Sequence, residues 1–507
     1  MGLDPRTPVL VGTGQVVSRL DESISLTARP EPAELMARAL ELAATDTGAP
    51  GAGRKLLERA ETLRILPPLS WNYTNPGLIV AERLGIEPGE LALAGIGGNG
   101  PQSIAGRTCA QIADGELDVA LVAGADCIGT RRLARRDPDN PPLPWTTQPA
   151  GTPEPVALGT DRDPVTAVER AASLDRPLRV FPLFASALRF AAGRTLEEDA
   201  TLVSEMWAGF SEVASHNPYA WSQTPRAAED IRTVGPGNRM VSFPYPKLQM
   251  ANDRVDLGAA FILCSLQSAE AAGVPADRMI FPVSGAEAND HWFLTHRMDL
   301  HSSPAIRTAC ARTFELAEKS IDDCSRVDLY SCFPSAVQMA AAEIGLAVDD
   351  PSRPLTITGG LGFAGGPGNN YVSHSIATMS SLLRSEGGTG FLTGLGWYAT
   401  KHSMGVWSSE PPTQGFHYEN VQSEVDAMPQ RAPAPNQDEG TEGTVETYTV
   451  LVGRDARPEL GIFAVLTEDG ARGWGTTTDE DLLHTLMVEE GCGRRAQIRP
   501  DGRVDIR

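Results

Sequence analysis

The chain has no Cys-x-x-Cys pair, no apolar run near the roughly 18 residues needed to cross a bilayer, and no excess of positive charge. Its seven cysteines, at 109, 127, 264, 310, 324, 332 and 492, are odd in number and scattered. A disulfide framework is therefore not indicated, and reduced thiols in a cytoplasmic protein fit best. The formal charge of −22 would repel a phosphate backbone, which argues against nucleic acid as the main ligand. The opening MGLDPRTPVLVGTG runs straight into a strand-like segment with no export signal. Without secretion, the glycosylation acceptor Asn72-Tyr73-Thr74 is a chance match.

At 507 residues the chain exceeds the roughly 250–300 at which a single core stops growing, so two or three domains are expected. With 41% hydrophobic and 21% charged residues it belongs with globular proteins rather than disordered ones. The first segment alternates strands with helices: PVLVGTG, PAELMARALELAATD, a Gly-rich turn, the small-residue helix SIAGRTCAQIADG, and the buried run DVALVAGAD. That is the order of a layered α/β domain. From about 130 to 245 the texture turns to Arg, Pro and Trp, as an inserted cap would. Strand-and-helix order then resumes through RVDLYSCFPSAVQMAAAEIG and a second Gly-rich stretch beginning TITGGLGFAGGPGNN.

The two α/β units share an order: a Gly-rich turn (97–100; 359–368), a helix of small residues, then an apolar strand ending in Gly. Such an echo implies internal duplication. The expected domains are 1–265, carrying the insert, and 266–410. An acidic, Pro-rich linker over 411–445 and a β-rich appendage over 446–507 follow.

The stretch GGNGPQSIAGRTCAQIADGELDVALVAGAD (97–126), DRVDLGAAFIL, VDLYSCFPSA and GGLGFAGGPG, in that order and with an inserted cap, resemble the thiolase superfamily over about residues 5–410. The β-rich tail narrows the resemblance to type 1 thiolase-like proteins, relatives of the sterol-carrier thiolases that carry an additional C-terminal domain. The resemblance implies a duplicated five-layer α/β fold with two αβα halves. It also implies acyl-CoA acyltransferase chemistry of the acetyl-CoA acetyltransferase kind, in lipid metabolism, and CoA or acyl-CoA as ligand with no tightly bound cofactor. Thiolase chemistry needs an activated thiolate, a base and an oxyanion hole. Yet Gly97 stands at the nucleophile position, Tyr330 and Gly366 at the two histidine positions, and Leu395 at the last cysteine. Four losses in one constellation argue against condensation or thiolysis by the usual route.

A relocated pair, Cys332 with His402 of Thr400-Lys401-His402-Ser403, is one reading of what remains. A buried core cysteine and a solvated loop are the other. The resemblance also suggests that Arg131 and Arg132, with Arg135 and Arg136, meet CoA phosphates, and that Asn99 and Gly362 line the pocket. Otherwise those arginines form a solvated turn face. Gly360–Gly365 matches a dinucleotide fingerprint after strand-like PLTIT, with Glu386 about 20 residues on, but Gly366, Pro367, Gly368 and two asparagines delay the helix that should receive a pyrophosphate. Asn289-Asp290-His291-Trp292 and His296 hint at a metal without matching a zinc pattern. Two functions stay open: an acyl-CoA enzyme, or a non-enzymatic binding or assembly subunit docking a protein partner through its tail. Thiolases pair through the edge of the first sheet, which implies a homodimer. A covered edge would leave a monomer.

Overall fold

The computed structural model describes residues 3–21, 23–159, 161–434 and 440–506. In the first half, strands Pro8–Val17, Asp256–Ser265, Val119–Cys127, Thr62–Leu66, Glu90–Ala94 and Val156–Leu158 lie side by side in that order. The first two pairings are antiparallel and the other three parallel. In the second half, Phe281–Asn289, Lys401–Ser408, Thr389–Gly396 and Arg326–Asp328 repeat the series antiparallel, antiparallel, parallel. The duplication suggested by the sequence is thus present over four strands of each sheet.

Between the two sheets lie two helices, Gly100–Asp114 and Tyr371–Glu386, which touch each other and strands of both sheets. Helices Pro32–Asp46 and Pro304–Ala317 cover the outer faces, giving five layers. A helix packed on both sides must be slim, and Gly100–Asp114 carries Ser103, Ala105, Gly106 and Cys109 where a surface helix would carry long chains. Gly115, at φ +77°, ends it in the left-handed conformation that Gly adopts without steric cost.

The insert supplies helices Pro177–Ala191 and Leu196–His216, the latter opened by a Thr195–Glu198 capping box. It also supplies strand Val156–Leu158, which pairs with Glu90–Ala94 and covers the edge of the first sheet. The tail is a five-stranded barrel of Thr441–Val452, Pro458–Leu466, Arg472–Thr477, Arg495–Ile498 and Val504–Ile506, with helix Glu480–Leu486 after the third strand. A parallel bridge from Thr476 to Arg503 closes it. Its first strand also pairs with Met240–Phe243 of the insert, so cap and barrel share a sheet.

Two local expectations change. The stretch 411–445 contains strand His417–Asn420, parallel to Phe281–Asn289, and helix Gln422–Asp426. They are anchored by Phe416, Val421 and Val425, buried singly and so without a readable period. Residues 435–439 of that stretch lie outside the described residues. PLTIT forms no strand; Thr356 and Thr358 instead turn their hydroxyls to the buried Asp328. Among the described residues no helix is long and apolar enough to cross a membrane.

Light scattering after size exclusion should give the mass of one chain, 54.0 kDa, because strand Val156–Leu158 covers the edge of the first sheet; twice that mass would require an interface elsewhere. A second expectation concerns His374 on the second central helix, whose Nδ1 donates to Gln15 Oε1 at 2.8 Å while Nε2 is buried without a partner. Burial pushes its pKa down to about 3. The unfolded chain, with an ordinary histidine near 6.5, therefore binds the proton first as pH falls. The stability contribution is whole above about 6.5 and is lost toward pH 3, on the order of 5 kcal/mol at most. Denaturant titrations should show a shallower pH slope for His374→Gln in that window.

Candidate functional site

The turn Gly97–Gly100 carries strand Glu90–Ala94 into the first central helix. Gly97, at φ +151°, donates its N–H to Asn369 Oδ1 at 2.9 Å, and Asn369 in turn donates to Pro67 O at 2.8 Å. A Cβ on Gly98 would lie 2.1 Å from Tyr330 Oη and 2.7 Å from the Leu395 carbonyl. The structure therefore brings the turn, Tyr330 and Leu395 together. Gly366 is close behind: its N–H bonds Asn252 O at 2.9 Å, and the neighbouring Ala251 N–H bonds Cys332 O at 3.0 Å.

Tyr330 meets Tyr371 edge-on at 5.6 Å, and its N–H donates to Thr393 Oγ1 at 2.8 Å. Burial, with the neighbouring Cys332 and Tyr371, holds its phenol well above the ordinary range, so it stays protonated and keeps an O–H to donate. Burial likewise pushes the Cys332 thiol up, the opposite of what a nucleophilic cysteine needs. The cap closes over the second Gly-rich loop. A Cβ on Gly359 would meet Ala214, one on Gly360 would meet Phe210, and Gly362 faces Trp207 Nε1. Within the fingerprint, Gly360–Phe363 is a single helical turn, and the long helix starts only at Tyr371, too late to place its N-terminus inside the motif.

Strand Lys401–Ser408 is fully buried. Its residues alternate in direction. Ser403 Oγ donates to Asn99 O at 2.8 Å, and Lys401 Nζ reaches Ile96 O at 2.9 Å and Asp161 at 3.2 Å, so both point inward. His402 lies between them on the other face, its Nε2 3.1 Å from Ala399 O and 3.4 Å from Asp290 Oδ2. Burial alone would raise the Asp290 pKa, but His402, Arg297 and Ser303 outweigh it and hold the carboxyl below its ordinary value. Among the described residues no hydrogen bond joins His402 to Cys332. The hairpin leading to His402 holds Trp397 and Ala399 at φ +55° and +48°, left-handed values that cost roughly 1–3 kcal/mol each for such residues.

A cleft of about 340 Å³ opens beside the turn, walled by Asn99, Gly100, Ser103, Trp292, Lys401, Asn420 and His402, so His402 but not Cys332 borders it. Glu287 crosses its floor and accepts from Ser103, Arg107 and Asn420. Asn99 belongs to this cleft and Gly362 to the cap contact. Arg131 and Arg132 are elsewhere again, on helix Ile128–Ala134, where Arg131 donates to Leu69 O at 3.1 Å and Arg132 pairs with Asp253 at 2.5 Å. Among the described residues no cluster of three His, Cys, Asp or Glu side chains could hold a metal. Sequence reasoning passed over Asn369, Asp161 and Lys401 as site residues. Asn369 left a signal as a polar residue directly after a Gly-rich turn, and Lys401 as a member of the polar Thr400–Ser403 run, whereas Asp161 left none.

Gly97→Cys should not restore a thiolase. The φ of +151° and Asn99 Oδ1 at 2.4 Å from a Cβ are expected to cost about 1–3 kcal/mol. Thermal melts should show a lower midpoint, and acetoacetyl-CoA thiolysis should stay at background.

The family profile described as "thiolase-like protein type 1 additional C-terminal domain" matches residues 420–503. No curated protein matches the chain. Among solved structures, a monomeric SCP2-thiolase-like protein type 1 from Mycobacterium smegmatis shares 30% identity, with 100% of each chain covered and a TM-score of 0.83. An Ltp2-ChsH2(DUF35) aldolase shares 15% identity, covering 80% of this chain and 98% of that one, TM-score 0.57. The dimeric peroxisomal thiolase of Saccharomyces cerevisiae shares 10%, covering 81% and 99%, TM-score 0.56. These last two show the thiolase fold alone. With the match to the first running from end to end, additional barrel included, the chain belongs to the SCP2-thiolase-like protein type 1 family.

Proposed function

We propose that the protein binds an acyl thioester such as acyl-CoA and does not perform condensation or thiolysis through a cysteine. The carrying observation is a group of positive charges without ion-pair partners. Arg131, Arg135 and Arg136 form no ion pair with a carboxylate among the described residues, although the chain's net charge is −22. Burial and the like charge of Arg135 hold the Arg131 pKa below its ordinary value, so an anion placed there would be stabilised. Phosphates of CoA suit such a group. Arg131 bonds the Leu69 carbonyl, Leu69 packs against Gly368, and Asn369 holds Gly97, so the patch is contiguous with the turn.

Glycine at 97, protonated Tyr330, Gly366 and Leu395 leave no nucleophile or base in the usual places, which favours binding without covalent transfer. A protonated phenol can still hydrogen-bond a carbonyl oxygen. The reading of the tail as a docking module is weakened by Arg472 and Trp474, both of which bond residues of the second half.

Calorimetry with CoA and acetyl-CoA should give measurable affinity, and the double change Arg135→Ala with Arg136→Ala should weaken it about tenfold, more at low salt. No affinity at millimolar ligand would end this reading. Radiolabelled acetyl-CoA followed by acid quench should leave no labelled peptide. Label on Cys332 that vanishes in Cys332→Ala would replace binding with acyl transfer.

A further inference from the structure

We propose that the appended barrel positions the Gly97–Gly100 turn, so that Arg472 and Trp474 act on the candidate site at a distance. The line of contacts starts at Arg472, buried and held at 2.6 Å through both Nε and Nη2 by Glu446 of the barrel's first strand. Its Nη1 donates to the carbonyls of Leu294 at 2.7 Å, Thr295 at 3.1 Å and Arg297 at 2.5 Å. Trp474 Nε1 adds a bond to Thr295 Oγ1 at 2.9 Å. A single guanidinium thus fixes the path of one short turn in the second half. Losing it would strand a carboxylate and several carbonyls away from water.

Two branches leave that turn and meet at Gly97. In the first, Trp292 donates from Nε1 to Asp163 O at 2.9 Å, and Arg162 stacks on its ring at 4.4 Å. Asp161 then accepts from the Ile96 N–H at 3.0 and 3.1 Å and from Lys401, which itself bonds Ile96 O. Both peptide groups of the residue before Gly97 are therefore held. In the second branch, Arg297 Nη2 donates to Thr400 Oγ1 at 3.0 Å and the Thr400 N–H to Gly396 O at 3.1 Å. Gly396 Cα would lie 3.3 Å from a Cβ on Gly97. Thr295 also bonds Glu169 of the cap at 2.7 Å through both its N–H and its hydroxyl, so the same turn steadies the insert.

Such a line couples two places when its parts shift together, and coupling has to be measured rather than traced. The proposal rests on the thioester reading only in taking this turn for the ligand site. Its test reads the ligand-free full chain, so failure of ligand binding and failure of coupling are separable. Hydrogen exchange followed by mass spectrometry should be compared for the native chain, Trp474→Phe, Arg472→Met, Asp161→Asn and Leu483→Ala.

Trp474→Phe removes one indole N–H and should fold. It is expected to raise exchange about tenfold at 290–297, 159–163, 95–100 and 396–400 while strand Thr441–Val452 stays protected, and Arg472→Met should do so more strongly. Asp161→Asn, near the far end of the line, should release 95–100 and leave 290–297 and the barrel unchanged. Leu483→Ala, a cavity in the barrel core, should loosen the barrel without reaching 95–100. If Trp474→Phe and Arg472→Met raise exchange only in the barrel and at 290–297, or if Leu483→Ala releases 95–100 equally, the barrel does not position the turn.

Discussion

Two helices buried between two sheets set the terms for the rest of the molecule. A central helix has no solvent face to which a long side chain can be turned, so sheet and helix approach until one of them must give up its side chain. Gly405 stands where Gln102 of the first helix presses on the second sheet, and Gly390 where Met379 of the second helix does. The Gly-rich turns at 97–100 and 359–368 belong to the same arrangement, since chain must enter the central layer through gaps too narrow for side chains.

That constraint separates the fold of the site from its chemistry. The turn is kept in place by backbone approach, by Asn369 and by Lys401, none of which needs a thiol. Tyr330 fills the space beside Gly98.

The architecture was legible in the sequence because the central helices and strands combine small-residue runs with β-branched ones, and because the duplication repeats their order. Cys332 and His402 were harder to judge. Sequence places both near the ends of apolar segments, but side-chain direction follows from register, and a single step along the strand sends Lys401 toward the central helix and His402 away from it. The pairing of His402 with Asp290 spans over a hundred residues and leaves no local pattern. The strand at 417–420 and the line from Arg472 to Ile96 were invisible for the same reason: each is built from isolated residues whose partners are distant in sequence.

The three residues Val156–Leu158 add one further consequence. They cap the sheet edge from within the same chain, so the edge meets its cover at an effective concentration fixed by the connecting loop rather than by how much protein is present. Dilution cannot strip it away. The closure is as complete for a single molecule as for a concentrated solution.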